Sequence, residues 1–214
     1  MTAARFAALA AAGLFLLLGA CIVAGLTAPF DRAVLAHLRL AGRPGVADFP
    51  AWAVAAAIAL TQAGPVFVRG PLLLVGALWL RARGEGRQAA ALVAAVLGEE
   101  LLVQLIKACV ARPRPDRAWA LVHAGSTSFP SGHAAGCMVL YPLLGLFLGA
   151  LHGRRWARVG AAAGVALALL VGITRVLLGV HWTADVVAGW LLGTAIAAFA
   201  AGALSPGGAG RLGR

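Results

Sequence analysis

His181 and Asp185 stand four residues apart in "GVHWTAD", at the start of a long apolar run. On a helix that spacing puts both side chains on one face. A carboxylate so placed can hold an imidazole in one tautomer and stabilise its charged form. A neutral, oriented imidazole is a nucleophile for phosphorus. A second histidine, His133, closes "PSGH" (130–133) where another apolar run opens. It is available as a general acid for a departing alkoxide. Lys107, Arg114 and Arg175 lie at or near the ends of such runs. Three like charges at the edge of an apolar layer are costly unless an anion joins them. "SGH" at a helix start offers such an anion free backbone N–H groups and the positive end of a helix dipole. There Gly132 lets an oxyanion approach the backbone, and Ser131 adds a hydroxyl donor. Planar guanidinium forks suit tetrahedral oxyanions such as phosphate. Asp185 is the only carboxylate in this set, so no acidic cluster is at hand for Mg²⁺ or Zn²⁺. The expected chemistry needs neither metal nor cofactor.

The elements that must position these residues are membrane helices. The chain has 214 residues, 62% of them hydrophobic and 12% charged, with a mean hydropathy of +0.91. Soluble domains carry roughly 25% charged residues. A span needs about 20 mostly apolar residues. The runs at 6–30, 64–82, 88–110, 133–151, 156–177 and 182–203 qualify or nearly do, and 64–82 carries Arg69 inside it. "AWAVAAAIAL" (51–60) is too short to span and reads as an interfacial or re-entrant helix. Residues 31–50 are polar and broken by Pro44 and Pro50. The expected fold is all-α: a polytopic membrane helix bundle with six transmembrane helices and an additional interfacial helix. Residues 1–204 form one membrane-embedded domain, and the Gly-rich residues 205–214 form a flexible tail. Spans rich in Ala and Gly suit close helix contact. Alternating helices then carry Lys107, His133, Arg175 and His181 to the same membrane face. Polar residues scattered over 107–185 thereby converge on one layer.

Six spans put both termini on one side, together with the Arg-rich loops 81–87 and 152–158. Short Arg-rich loops mark the cytoplasmic face. Basic residues divide evenly, nine on each side, so the rule holds only if several outer ones have another task. The net charge of +11 does not suit nucleic acid, because no contiguous basic stripe is present. Cys21, Cys109 and Cys137 read as buried thiols without metal-ligand spacing. "LGAC" (18–21) imitates a lipoprotein cleavage box, but the apolar run continues past it. Arg112 and Arg117 read as surface charges or headgroup contacts, and His123 as a solvated loop residue. Glu99 and Glu100 lie inside a span, where carboxylates are costly and paired or functional. Glu100, Gln104 and Lys107 share a helix face. They suggest a polar network supporting Lys107, with Arg69 as a partner for one glutamate. Trp79, Trp119, Trp156 and Trp182 fit interfacial belts.

"KACVARPRP" (107–115), "PSGH" (130–133) and "TRVLLGVHWTAD" (174–185) resemble the three signature motifs of the type 2 phosphatidic acid phosphatase superfamily, in its integral membrane branch. Every spacing matches, and Thr174 stands where the pattern has Ser. The resemblance implies that His181 attacks phosphorus to give a phosphohistidine, with Asp185 orienting it. His133 protonates the leaving group, and water then hydrolyses the intermediate. Lys107, Arg114, Ser131, Gly132 and Arg175 hold the phosphate oxygens. The expected substrate is a lipid phosphate or pyrophosphate of the undecaprenyl, phosphatidylglycerol phosphate or phosphatidic acid type. It would be hydrolysed on the extracytoplasmic side of the inner membrane, with both termini cytoplasmic. A phosphotransferase with a non-water acceptor is the alternative. A vanadate peroxidase fits poorly, because such relatives are typically soluble. A transporter would want internal repeats and broken helices at the midplane, and the sequence suggests neither. The oligomeric state stays open.

Overall fold

The computed structural model describes residues 2–39 and 43–204. The tail expected at 205–214 lies outside the described residues. Eight α-helices occur among them: α1 (Ala3–Val23), α2 (Ala28–His37), α3 (Ala51–Thr61), α4 (Val66–Ala82), α5 (Gly86–Val110), α6 (Gly132–Ala150), α7 (Arg154–Leu177) and α8 (Thr183–Leu204). The helices α1, α5, α6, α7 and α8 are each long and apolar enough to cross a membrane. The pair α3 and α4 meets the same test only when taken together, bent by 49° at their break. Counted as one bent span, the pair brings the bundle to the expected six.

Two boundaries differ from the sequence expectation. The first span ends at Val23, not at residue 30, because Gly25 adopts φ +75 and turns the chain. Pro29 then opens α2 in its first turn, where its missing N–H costs nothing. The stretch expected to be polar and broken from residue 31 thus begins inside a ten-residue helix. The second difference lies at residues 51–61. The short helix does not stand apart but runs into α4 through a break at Gln62-Ala63-Gly64-Pro65, so the pair forms a broken span or a re-entrant loop.

The most deeply buried of the spans is α6. Small residues explain how its neighbours come so close. A Cβ added to Gly145 would lie 2.2 Å from the carbonyl oxygen of Gly160 on α7. One added to Gly193 on α8 would lie 2.6 Å from the carbonyl oxygen of Ala135. Only glycine permits such backbone-to-backbone contact, which is how membrane helices pack without a hydrophobic driving force. Leu73, Leu80, Leu92, Val139, Leu140 and Leu143 fill the core between α4, α5 and α6. Leu16, Leu17, Leu74 and Leu101 point outward, as lipid-facing residues do. Among the cysteines only Cys137 is buried; Cys109 faces out, against expectation. The C-terminal ends of α5 and α7 and the N-terminal ends of α6 and α8 share one face. The segment 111–131, with a 3₁₀ turn at Arg117–Trp119, folds over it.

Candidate active site

A cavity of about 590 Å³ opens at this face, lined by Lys107, Arg114, Gly132, His133, Arg175 and His181. Six of the eight residues singled out from sequence therefore meet around one space. The other two, Ser131 and Asp185, stand behind its wall, each with no exposed surface.

The start of α6 is built by Ser131. Its hydroxyl accepts from the Ala134 N–H at 3.5 Å, a helix N-cap. Its own N–H donates to the Asp185 carbonyl at 3.1 Å, which ties the starts of α6 and α8 together. Gly132 follows. A Cβ there would meet only Val103 Cγ1 at 3.6 Å, ordinary contact. Packing does not demand the glycine, so the missing side chain leaves room toward the cavity. His133 rests against the break between α3 and α4. A Cβ on Gly64 would come within 2.2 Å of its ring, so Gly64 lets the backbone lie flat on the imidazole.

His181 is 3% exposed. Burial pushes its pKa down to about 3, with the nearby Asp185 carboxylate opposing and the charges of Arg114 and Arg175 adding to the depression. The imidazole is therefore neutral at physiological pH, the nucleophilic form. Its Nδ1 lies 3.7 Å from Asp185 Oδ2, beyond hydrogen-bond range. Ser128 stands beside the pair. Its hydroxyl donates to Asp185 Oδ2 and lies 3.5 Å from His181 Nδ1. The Trp182 N–H donates to the same carboxylate oxygen at 3.2 Å.

Lys107, Arg114 and Arg175 find carbonyls and a hydroxyl instead of carboxylates, while Arg69 and Glu100, which pair with each other, also line the cavity. Lys107 Nζ donates to the Thr127 carbonyl at 2.5 Å. Arg114 donates from Nε to the carbonyls of Gly125 and Ser126 and from Nη1 to that of Val180. Burial lowers its pKa, with Asp185 opposing. Arg175 donates from Nη1 to Thr61 Oγ1 at 2.9 Å, while its buried Nε has no partner in the structure. Among the described residues, none of the three has a carboxylate within ion-pair distance.

Three sequence readings change here. Arg112 is not a surface charge: its side chain is 13% exposed and bridges Asp31 at 2.8 Å and Asp185 at 2.5 Å. Arg69 pairs with both glutamates, Glu99 at 3.3 Å and Glu100 at 3.1 Å, and donates from Nε to the Gly64 carbonyl at 2.8 Å. The network continues from Glu100 to Gln104 at 2.9 Å, but Lys107 turns instead to Thr127. Arg117 and His123 are exposed, as expected. Ser128, Thr61, Gly64 and Asp31 were not foreseen. A serine three residues before "SGH" and a glycine before a proline are too common to stand out. Among the described residues no group of three His, Cys, Asp or Glu side chains is placed to hold a metal ion.

Comparison with known proteins places this geometry. The model of the PAP2 superfamily matches residues 88–205. The chain is 43% identical over 99 residues to phosphatidylglycerophosphatase B of Bacillus subtilis (strain 168), covering 44% of this chain and 47% of that protein. It is 42% identical over 67 residues to undecaprenyl-diphosphatase of Sulfolobus acidocaldarius, covering 31% and 29%. The aligned segments span less than half the length of either curated relative. The crystal structure of the first transmembrane PAP2 type phosphatidylglycerolphosphate phosphatase from Bacillus subtilis is similar throughout. It has a TM-score of 0.82 and 28% sequence identity, and the match covers 92% of this chain and 95% of that one.

Proposed function

The chain belongs to the PAP2 superfamily, and from that membership we propose that it is a membrane-bound lipid phosphate phosphatase working through a phosphohistidine. One observation carries the reading. Lys107, Arg114 and Arg175 surround a cavity that also presents a neutral histidine, and among the described residues no carboxylate lies within ion-pair distance of them. A phosphate group supplies the missing negative charge. It would take hydrogen bonds from Lys107, from the guanidinium edges facing the cavity and from the backbone at Gly132. Ser131 contributes by fixing that helix start.

The chemistry follows from the two imidazoles. The lone pair of His181 forms a bond to phosphorus as the bond to the lipid oxygen breaks. Protonated His133 gives its proton to the departing oxygen, and the bound phosphate's own charge favours that imidazolium. Asp185, through Ser128, steadies the positive ring that develops at His181. A water then enters, His133 takes one of its protons, and the N–P bond breaks to release inorganic phosphate. This is general acid–base and covalent catalysis with roles divided between two rings.

The substrate class is a phosphomonoester or pyrophosphate on a lipid. Ile58, Val66 and Phe67 line the same cavity beside the break between α3 and α4 and are exposed on its outer side. An acyl or prenyl chain can lie there while the headgroup enters. The names of the two curated relatives make phosphatidylglycerol phosphate and undecaprenyl diphosphate the first substrates to try, with phosphatidic acid beside them. The active layer would face the extracytoplasmic side of the inner membrane, with both termini in the cytoplasm. The test is phosphate release by detergent-purified protein on these three lipids in EDTA, with His181→Ala alongside. Release by the wild type and none by the variant is expected. Release by both would overturn the role of His181, and release by neither would favour transfer to an acceptor other than water.

A further inference from the structure

We propose that Asp31 and Arg112 form a clamp on Asp185, which makes Arg112 a positioning residue for the nucleophile. This rests on the reading of His181 given above. Arg112 spends its guanidinium on three partners. Nη1 donates to Asp185 Oδ1 at 2.5 Å, and Nη2 donates to Asp31 Oδ2 at 2.8 Å and to Thr27 Oγ1 at 3.3 Å. The indole of Trp182 lies under the guanidinium at 5.8 Å and donates from Nε1 to the Pro113 carbonyl at 2.9 Å. Asp31 has a second task. Its Oδ1 accepts from the Ala184 N–H at 2.9 Å. It therefore caps the first turn of α8, the helix that carries Asp185, from 153 residues away in sequence.

The division of labour on Asp185 gives the clamp its meaning. One carboxylate oxygen belongs to Arg112. The other is left for Ser128, the Trp182 N–H and the His181 side. With Oδ1 fixed, the carboxylate cannot rotate, and Oδ2 stays on the His181 side. Asp31 fixes Arg112 and sets the start of α8 at the same time. Asp31 and Thr27 lie outside residues 88–205, where the family model matches. The N-terminal part of the chain thus reaches into the catalytic layer. Arg112 borders a second cleft of about 660 Å³, which meets the catalytic cavity at Arg114 and residues 122–126, but does not itself line that cavity. It should therefore act on turnover and not on substrate affinity.

The experiment compares full-length wild type, Arg112→Ala, Arg112→Lys and Asp31→Asn in detergent, with two readouts. One is the rate at which diethyl pyrocarbonate labels His181, followed by mass spectrometry, which requires no substrate. The other is kcat and KM for phosphate release. Arg112→Ala is expected to lower both the labelling rate and kcat by about tenfold or more, with KM changed by less than about twofold. Millimolar guanidinium, entering through the cleft beside Arg112, restores much of the loss, and urea does not. Arg112→Lys recovers only part, because an ammonium cannot bridge two carboxylates as a fork does. Asp31→Asn keeps the size and loses the charge, and should cost about threefold in both readouts. It carries the test if Arg112→Ala fails to fold. Wild-type labelling and kcat in either folded variant would overturn the clamp, as would an Arg112→Ala loss that guanidinium leaves untouched. If no protein releases phosphate but labelling still falls in Arg112→Ala, the clamp stands and the hydrolase reading fails.

Discussion

Two kinds of buried cation occupy the same polar layer. Arg69 and Arg112 are each closed by a pair of carboxylates, Glu99 with Glu100 and Asp31 with Asp185. Lys107, Arg114 and Arg175 face a shared cavity and rest on carbonyls or a hydroxyl. The first kind meets its counter-charge within the protein. Its charge is cancelled inside the fold, and its members hold backbone in place: Gly64 for Arg69, the start of α8 for the Asp31–Arg112 pair. The second kind keeps its charge uncancelled, at a cost to stability, in the space where a neutral histidine waits. Burial and charge alone do not reveal this difference. Arg69, Lys107 and Arg175 are all buried, yet among the described residues only Arg69 of the three has carboxylate partners.

That contrast can be broken first at Arg69. Arg69→Met leaves Glu99 buried without a partner, and removing one side of a buried ion pair costs about 3–5 kcal/mol. Most of the folded yield should disappear, read as monodisperse protein after detergent extraction and as thermal midpoint. A well-folded Arg69→Met would remove the distinction between the two kinds of cation. Arg175→Met should behave in the opposite way. Loss of one donor to a charged phosphoryl group lowers kcat/KM by about 10²–10³, while the thermal midpoint holds or rises, because like charge has been removed. A parallel fall in stability and rate would mean that Arg175 is structural.

The cavity's character also shows in pH dependence. His181 has its pKa depressed from 6.5 to about 3 in the fold. Between those values the unfolded chain holds the extra proton, so stability rises with pH through that window and falls as acid is added. Going from pH 7 to pH 4 should cost about 3 kcal/mol through this group. Thermal unfolding of His181→Asn over the same range should show a correspondingly shallower slope; an identical slope would place the neutral histidine in doubt. The smallest effect lies outside both sets. Ala111 ends α5 at φ 47, a left-handed conformation that costs a residue with a Cβ about 1 kcal/mol. Ala111→Gly should raise stability by about that amount without changing kcat.

Much of the candidate site was legible because its residues are wrong for their surroundings. A lysine, an arginine and two histidines at the ends of apolar runs announce themselves, and the alternation of helices says which ends meet. Glu99 and Glu100 were visible for the same reason. What stayed hidden depends on partners distant in sequence. Asp31 looks like any acidic residue in a polar stretch, and its use lies 81 residues away at Arg112 and 153 away at Ala184. Arg112 looked like a second, optional arginine in "RPRP" until Asp31 and Asp185 closed on it. Ser128 stands beside His181 and Asp185 and reaches both. The four-residue spacing brings the two to 3.7 Å, within ion-pair distance, but nothing in it announced the serine. The helix α2 escaped because Gly25 ends the first span earlier than hydropathy alone suggests.

The most direct test of a cationic cavity built around a nucleophilic histidine is to catch the intermediate. Wild-type protein would be mixed with a ³²P-labelled lipid phosphate, quenched in alkali within one turnover and digested for mapping. The expected result is an alkali-stable, acid-labile phosphoryl group on His181, formed no more slowly than phosphate is released. Label on another residue, or rapid phosphate release with no covalent species at any time point, would contradict it.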